Sequence, residues 1–203
     1  MASANPHKAV EIAAVLAEAM PAVEIVPRPP ELGDVAEDGE TLADNALIKA
    51  RFVCAAAGEP SIADDTGLEV DALGGAPGVY SARYAGPEAD SAANLAKLMA
   101  ALVDVPPSQR TARFRTVVAL VYEGAAPQLG AHEHPSVERP HVLAEGVVEG
   151  AIAMAPRGDG GFGYDPVFVP REAAPLTFAE MSAEAKNRIS HRGRALRALL
   201  AKL

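Results

Sequence analysis

Cysteine is almost absent from this chain. The single Cys54 excludes an intrachain disulfide, and its neighbours Phe52, Val53, Ala55 and Ala56 mark it as a small buried hydrophobe. Long apolar runs are missing as well. No stretch approaches the ~20 residues of a membrane span, and the opening Met1-Ala2-Ser3-Ala4-Asn5-Pro6-His7-Lys8 carries no apolar targeting core. The expectation is a soluble, cytoplasmic protein. Cations are in short supply, 18 Lys and Arg against 27 Asp and Glu for a net charge of −9, which argues against a nucleic-acid partner. The shortage is uneven. From Arg171 onward the chain is net +4, against −13 for the remainder, a local excess that suits a small phosphorylated ligand. Within that tail Arg194, Arg197 and Lys202 read as a solvated helix face.

What is present is a patterned chain of 203 residues, 49% apolar, without internal repeats, which predicts one α/β domain over residues 1–203. Asn5-Pro6 starts a helix that runs to about Met20 before Pro21, and Thr41 with Asp44 resembles a capping box opening a helix that stops at Gly58. That helix carries Ile48, Phe52 and Val53, while Asn45 and Lys49 share one face. Ser61-Ile62-Ala63 predicts a short buried strand that delivers an acidic turn, Asp64-Asp65-Thr66-Gly67, with a second strand from Leu68. A helix over 88–103, strands over 114–122 and 142–154, a surface loop over 124–140 and a final helix with Leu196, Leu199, Leu200 and Leu203 inward complete the reading. His132, His134 and His141 lack supporting ligand spacing and are read as loop residues.

Polar residues gather in four segments. In Ser3-Ala4-Asn5-Pro6-His7-Lys8 a helix N-terminus supplies backbone donors and Lys8 a full charge, an anion site without the G-x-x-x-x-G-K-[ST] signature of a P-loop. Glu37-Asp38-Gly39-Glu40 precedes the Asn45 and Lys49 face, and Asp64-Asp65 follows an apolar strand; carboxylates converging from two segments suit Mg²⁺, a hard cation that also takes phosphate oxygens. In the fourth segment Gly158, Gly160 and Gly163 match G-x-G-x-x-G, but Tyr164-Asp165-Pro166 cannot open the helix a dinucleotide fold needs. Glycines around Phe162 instead let backbone approach a flat ligand, and Ser190 caps a last helix with His191 and Arg192 at its positive end.

The blocks "SANPHK", "EDGETLADNALIKA", "ADDTGLEVDALGGAPGVYSARYAG", "PRGDGGFGYDPVF" and "KNRISHRGRAL" together resemble the inosine/xanthosine triphosphate pyrophosphatase family, in its order and over nearly the whole chain. The resemblance implies an elongated mixed sheet flanked by helices, with two lobes around a central nucleotide cleft, usually as a homodimer. It implies Asp65 as catalytic residue and Mg²⁺ ligand, Asp64 in support and Glu37 as a second ligand. Ser3, Ala4, Asn5, Pro6, His7, Lys8, Thr66, Phe162, Gly163, Tyr164, Asp165, Lys186, His191 and Arg192 would bind substrate. The family carries an apolar first strand before this opening block, which implies that the chain continues upstream of Met1. Two rivals stand beside it: a house-cleaning pyrophosphatase for modified pyrimidine nucleotides or a broad phosphatase, the haloacid type of which needs a D-x-D absent here, and a nucleotide-binding protein without turnover.

Overall fold

A computed structural model describes residues 1–2, 5–29, 31–33, 35–87, 90–122 and 140–203. Ser3, Ala4, His132, His134 and all but Pro140 of the loop expected over 124–140 lie outside the described residues. The helices are α1 (Pro6–Ala19), α2 (Leu42–Ala57), α3 (Ser91–Ala101), α4 (Ala183–Ile189) and α5 (His191–Leu200). The strands are β1 (Ser61–Val70), β2 (Pro77–Gly78), β3 (Thr111–Val121), β4 (His141–Ile152) and β5 (Phe168–Pro170), in the sheet order β2-β1-β3-β4-β5. The α/β class is borne out, and within it every pairing among the described residues is antiparallel.

The local signals at helix ends hold. The Asn5 side chain accepts from the amides of His7 and Lys8, Thr41 and Asp44 form the reciprocal capping box, and Gly58 ends α2 in the left-handed region at φ 68°. Of Ile48, Phe52 and Val53 on α2, Val53 alone is buried. Leu42, Ala46, Ala50 and Val53 turn to the sheet, whereas Phe52 is 37% exposed, because small residues let the helix approach the strands closely.

The larger difference is in β1. Residues 64–67 form no turn; they continue a ten-residue strand paired residue for residue with β3, from Ser61 opposite Val121 to Val70 opposite Ala112. Asp and Gly disfavour strands, but the valine-rich β3 and cationic partners for both carboxylates override that local preference. A strand sends alternate side chains to opposite faces. Ile62 therefore joins Val118, Ala144 and the inner faces of α1 and α5, while Ala63 joins Val117, Ala119 and α2. Asp64 and Asp65 follow suit and part company.

Farther along, Leu68, Phe114, Val148 and Phe168 share a third core with Leu98 and Leu102. The opposite face there carries cross-strand ion pairs, Arg113 to Asp71 and Glu149, and Arg115 to Glu69 and Glu145. Helix α5 crosses β4 at Gly146, where any Cβ would overlap the His191 carbonyl and the Ala195 amide. Leu203 lies past the end of α5 and is 58% exposed rather than inward. Arg197 and Lys202 are exposed as expected and Arg194 is half-buried; each also donates to backbone carbonyls, Arg194 to Ile189 and Val147, Arg197 to Asn187 and Arg188 of α4, and Lys202 to Leu143.

Candidate active site

Residues of all five helices and of strands β1 and β3 line a cleft of about 530 Å³. On the α2 face of β1, Lys49 Nζ stands 2.7 Å from Asp65 Oδ1 and 3.1 Å from Glu37 Oε2. Asn45, one turn before Lys49, donates Nδ2 to Asp65 Oδ2 at 3.4 Å and accepts the Gly39 amide on Oδ1 at 2.9 Å. A Cβ at position 39 would come within 2.6 Å of the Asp44 Cβ, so glycine is what lets the 37–40 segment close over α2. Arg83 fastens the same segment from across the cleft by donating to the Glu37 carbonyl at 3.0 Å. Burial pushes the Asp65 carboxyl upward, and the charges of Lys49 and Lys8 only partly offset that. Burial alone would lower Lys49, but Asp65, Glu37 and Asp64 outweigh it and hold the ammonium above its usual value.

The other face of β1 holds a separate network. Asp64 Oδ2 receives Lys8 Nζ at 3.3 Å, Arg192 Nε at 3.1 Å and the Thr66 hydroxyl at 3.1 Å. Burial would raise this carboxyl; Lys8, then Arg192 and Lys49, bring it far below the usual range. Arg192 also donates to Thr66 Oγ1 at 3.2 Å and to Glu11, so three of its five N–H directions are engaged among the described residues. Burial lowers Lys8, and the attraction of Asp64 does not fully restore it.

At the far end of the cleft the Phe162 ring stacks with His7 at 5.3 Å, with Lys186 Nζ 5.0 Å and Arg192 Cζ 5.7 Å from its centroid. Asp165 shapes this end, accepting the Phe162 amide at 2.8 Å and Lys186 Nζ at 2.6 Å. Lys186 in turn reaches Glu11 at 2.7 Å. His191 lies flat on Phe114 at 4.4 Å; burial first, then the nearby Arg192 and Lys186 charges, press its pKa well down, so its ring is neutral at pH 7. The Tyr164 hydroxyl donates to the Ser81 carbonyl at 2.9 Å, joining this end to the opposite wall.

Nearly all of the described residues expected from sequence thus meet in one place. Asn5, Lys8, Glu37, Asp65 and Thr66 line the cleft together with Phe162, Gly163, Tyr164, Asp165, Lys186, His191 and Arg192. Pro6 is the first residue of α1, and His7 reaches the cleft through Phe162. Asp64 is displaced to the back of the site. Glu11 went unnoticed in the sequence, although its position three residues after Lys8 on a helix was a usable signal. Ser81, Ala82, Asp90, Ser91 and Asn94 also line the cleft, and only tertiary packing brings them there.

Among the described residues no group of three or more His, Cys, Asp and Glu could hold a metal ion. Glu37 and Asp65 nonetheless suit Mg²⁺, which commonly takes one or two carboxylates and completes its shell with water and substrate phosphates. Zinc, which seeks His and Cys, would find neither beside these two carboxylates in the described site.

The Ham1 family profile matches residues 1–202. A dITP/XTP pyrophosphatase of Xanthomonas campestris pv. campestris is 49% identical over 205 residues, covering 100% of this chain and 95% of that protein. One from Geobacillus kaustophilus is 46% identical over 97% of this chain and 89% of that protein. Among solved structures, a HAM1 protein from Coxiella burnetii superposes with a TM-score of 0.81 at 38% identity, covering 100% of this chain and 97% of the other. Among the described residues, no helix is long and apolar enough to cross a membrane.

Proposed function

The chain belongs to the Ham1 family, and from that premise we propose that it hydrolyses non-standard purine nucleoside triphosphates, ITP, dITP and XTP, to the monophosphate and pyrophosphate. The observation that carries this reading is the polarity of the cleft. One end offers the Phe162 ring bordered by Lys186 and Arg192, with neutral His191 stacked on Phe114 in the same cleft, and the other a carboxylate pair beside Lys8 and Lys49, a layout suited to a base and a triphosphate respectively.

In this reading a Mg²⁺ ion held by Glu37 and Asp65 would offset charge on the phosphate oxygens. Lys8 and Lys49 bind and orient the triphosphate. Asp65, made more basic by burial, takes a proton from the water that attacks as the α–β anhydride bond breaks, and pyrophosphate leaves. Donors on Arg192 or His191 meet the 6-oxo acceptor of hypoxanthine or xanthine; the 6-amino group of adenine would bring donor to donor, leaving groups unpaired at about 1–3 kcal/mol each. We also read the protein as a cytoplasmic homodimer, which sedimentation velocity tests.

The deciding experiment incubates the protein and Asp65→Asn with Mg²⁺ and ITP, XTP, dITP, GTP, ATP or dUTP, and assays pyrophosphate separately from phosphate. Pyrophosphate release from ITP, dITP and XTP by wild type only is expected. Phosphate release, a preference for dUTP, or no turnover would each select one of the rival readings.

A further inference from the structure

The ammonium of Lys49 lies between the two carboxylates read above as metal ligands, at 2.7 Å from Asp65 and 3.1 Å from Glu37. We propose that Lys49 is a built-in stand-in for the divalent cation, occupying its place between Glu37 and Asp65 and being exchanged for it on loading, after which the freed ammonium turns to the triphosphate. The proposal rests on the reading of the cleft as a metal-dependent nucleotide site.

Three features support it. Two carboxylates held toward a common point repel each other, and one cation in contact with both offsets that repulsion without fixing the pair permanently. The frame, moreover, does not depend on the lysine. Asn45 ties Asp65 to the Gly39 amide, and Arg83 holds the Glu37 carbonyl, so both ligand segments keep their places when the ammonium leaves. Finally, Lys49 projects from α2 into the cleft wall on a flexible stem, and rotation about its side-chain bonds is enough to carry the charge away from the pair. Exchange has a functional consequence. A bare cation must compete with Lys49 for its site, whereas a triphosphate draws the lysine off, so metal and nucleotide load together.

The test is a titration with Mn²⁺, used as a spectroscopically visible substitute for Mg²⁺, followed by electron paramagnetic resonance without nucleotide on wild type, Lys49→Met and Asp65→Asn. Exchange predicts that Lys49→Met binds Mn²⁺ about tenfold more tightly while turning over poorly, and that Asp65→Asn loses the site. A lysine that merely stitches α2 to β1 gives the opposite sign, because its loss would let the carboxylates splay. Equal or weaker binding by Lys49→Met, with binding lost in Asp65→Asn, overturns the exchange and leaves the metal site standing. Wild-type binding by Asp65→Asn overturns the metal site itself, and the exchange with it. Wild-type protein supplies an independent readout should Lys49→Met fold poorly: amine acylation at Lys49, followed by peptide mass spectrometry, should rise severalfold on adding Mg²⁺, and unchanged or reduced labelling would count against the proposal.

Discussion

Gly146→Ala should damage the site from behind, through the backbone of α5. The new Cβ would overlap the His191 carbonyl and the Ala195 amide and lie 2.8 Å from the Arg194 Cβ. Two of these obstacles are backbone atoms of α5, so no side-chain rotation relieves the clash. Helix α5 must retreat by about 1 Å to regain ordinary van der Waals separation. That movement costs about 1–3 kcal/mol as overpacking. It also carries His191 and Arg192 away from Phe114, Asp64 and Thr66, the partners that fix them. A displacement of that size can lower turnover by about 10²-fold. Urea unfolding and kcat/KM on ITP read the two effects, with Gly33→Ala as control, since a Cβ there meets nothing within 4 Å. If Gly146→Ala matched the control in both measurements, the argument that this crossing positions the base end would be wrong.

Arg192→Lys keeps a buried charge near Asp64 and Glu11 but loses the planar fork. In competition kinetics it should lower the preference for ITP over ATP by about tenfold or more, and an unchanged preference would remove Arg192 from base selection. His191 gives a pH prediction. Its pKa is depressed in the folded state, so as the pH falls below about 6.5 the unfolded chain takes a proton that the folded protein refuses, and stability is lost. Between pH 7.5 and 5.5 wild type should therefore lose about 1.4 kcal/mol more than His191→Gln in urea unfolding; equal losses would mean that the ring is protonated in the folded protein.

How far sequence carried the structure depended on how local each signal was. The caps of α1, α2 and α5 involve residues two to three apart and were legible, as was the shared face of Asn45 and Lys49. The path of residues 64–67 was not. Two aspartates and a glycine read locally as a turn, and only the pairing with a strand fifty residues away, with Lys8, Lys49 and Arg192 arriving from three helices, makes them a strand. The division of Asp64 from Asp65 follows from that strand and was therefore hidden with it. The wall formed by Ser81, Ala82 and Asn94 depends on the packing of the third core, around Leu98 and Phe114, for which no short motif exists.

That division makes the register of β1 a functional quantity. Sliding the strand by one residue against β3 would leave most hydrogen bonds remakeable yet exchange its two faces, sending Asp64 toward Lys49 and Asp65 toward Arg192. Ile62 and Ala63 would trade cores in the same step, a bulky side chain entering the tight seat beneath α2 and a methyl group a wider one. The apolar neighbours therefore proofread the alignment of the carboxylates. A single-residue insertion or deletion in this stretch should prove far less tolerable than most substitutions within it.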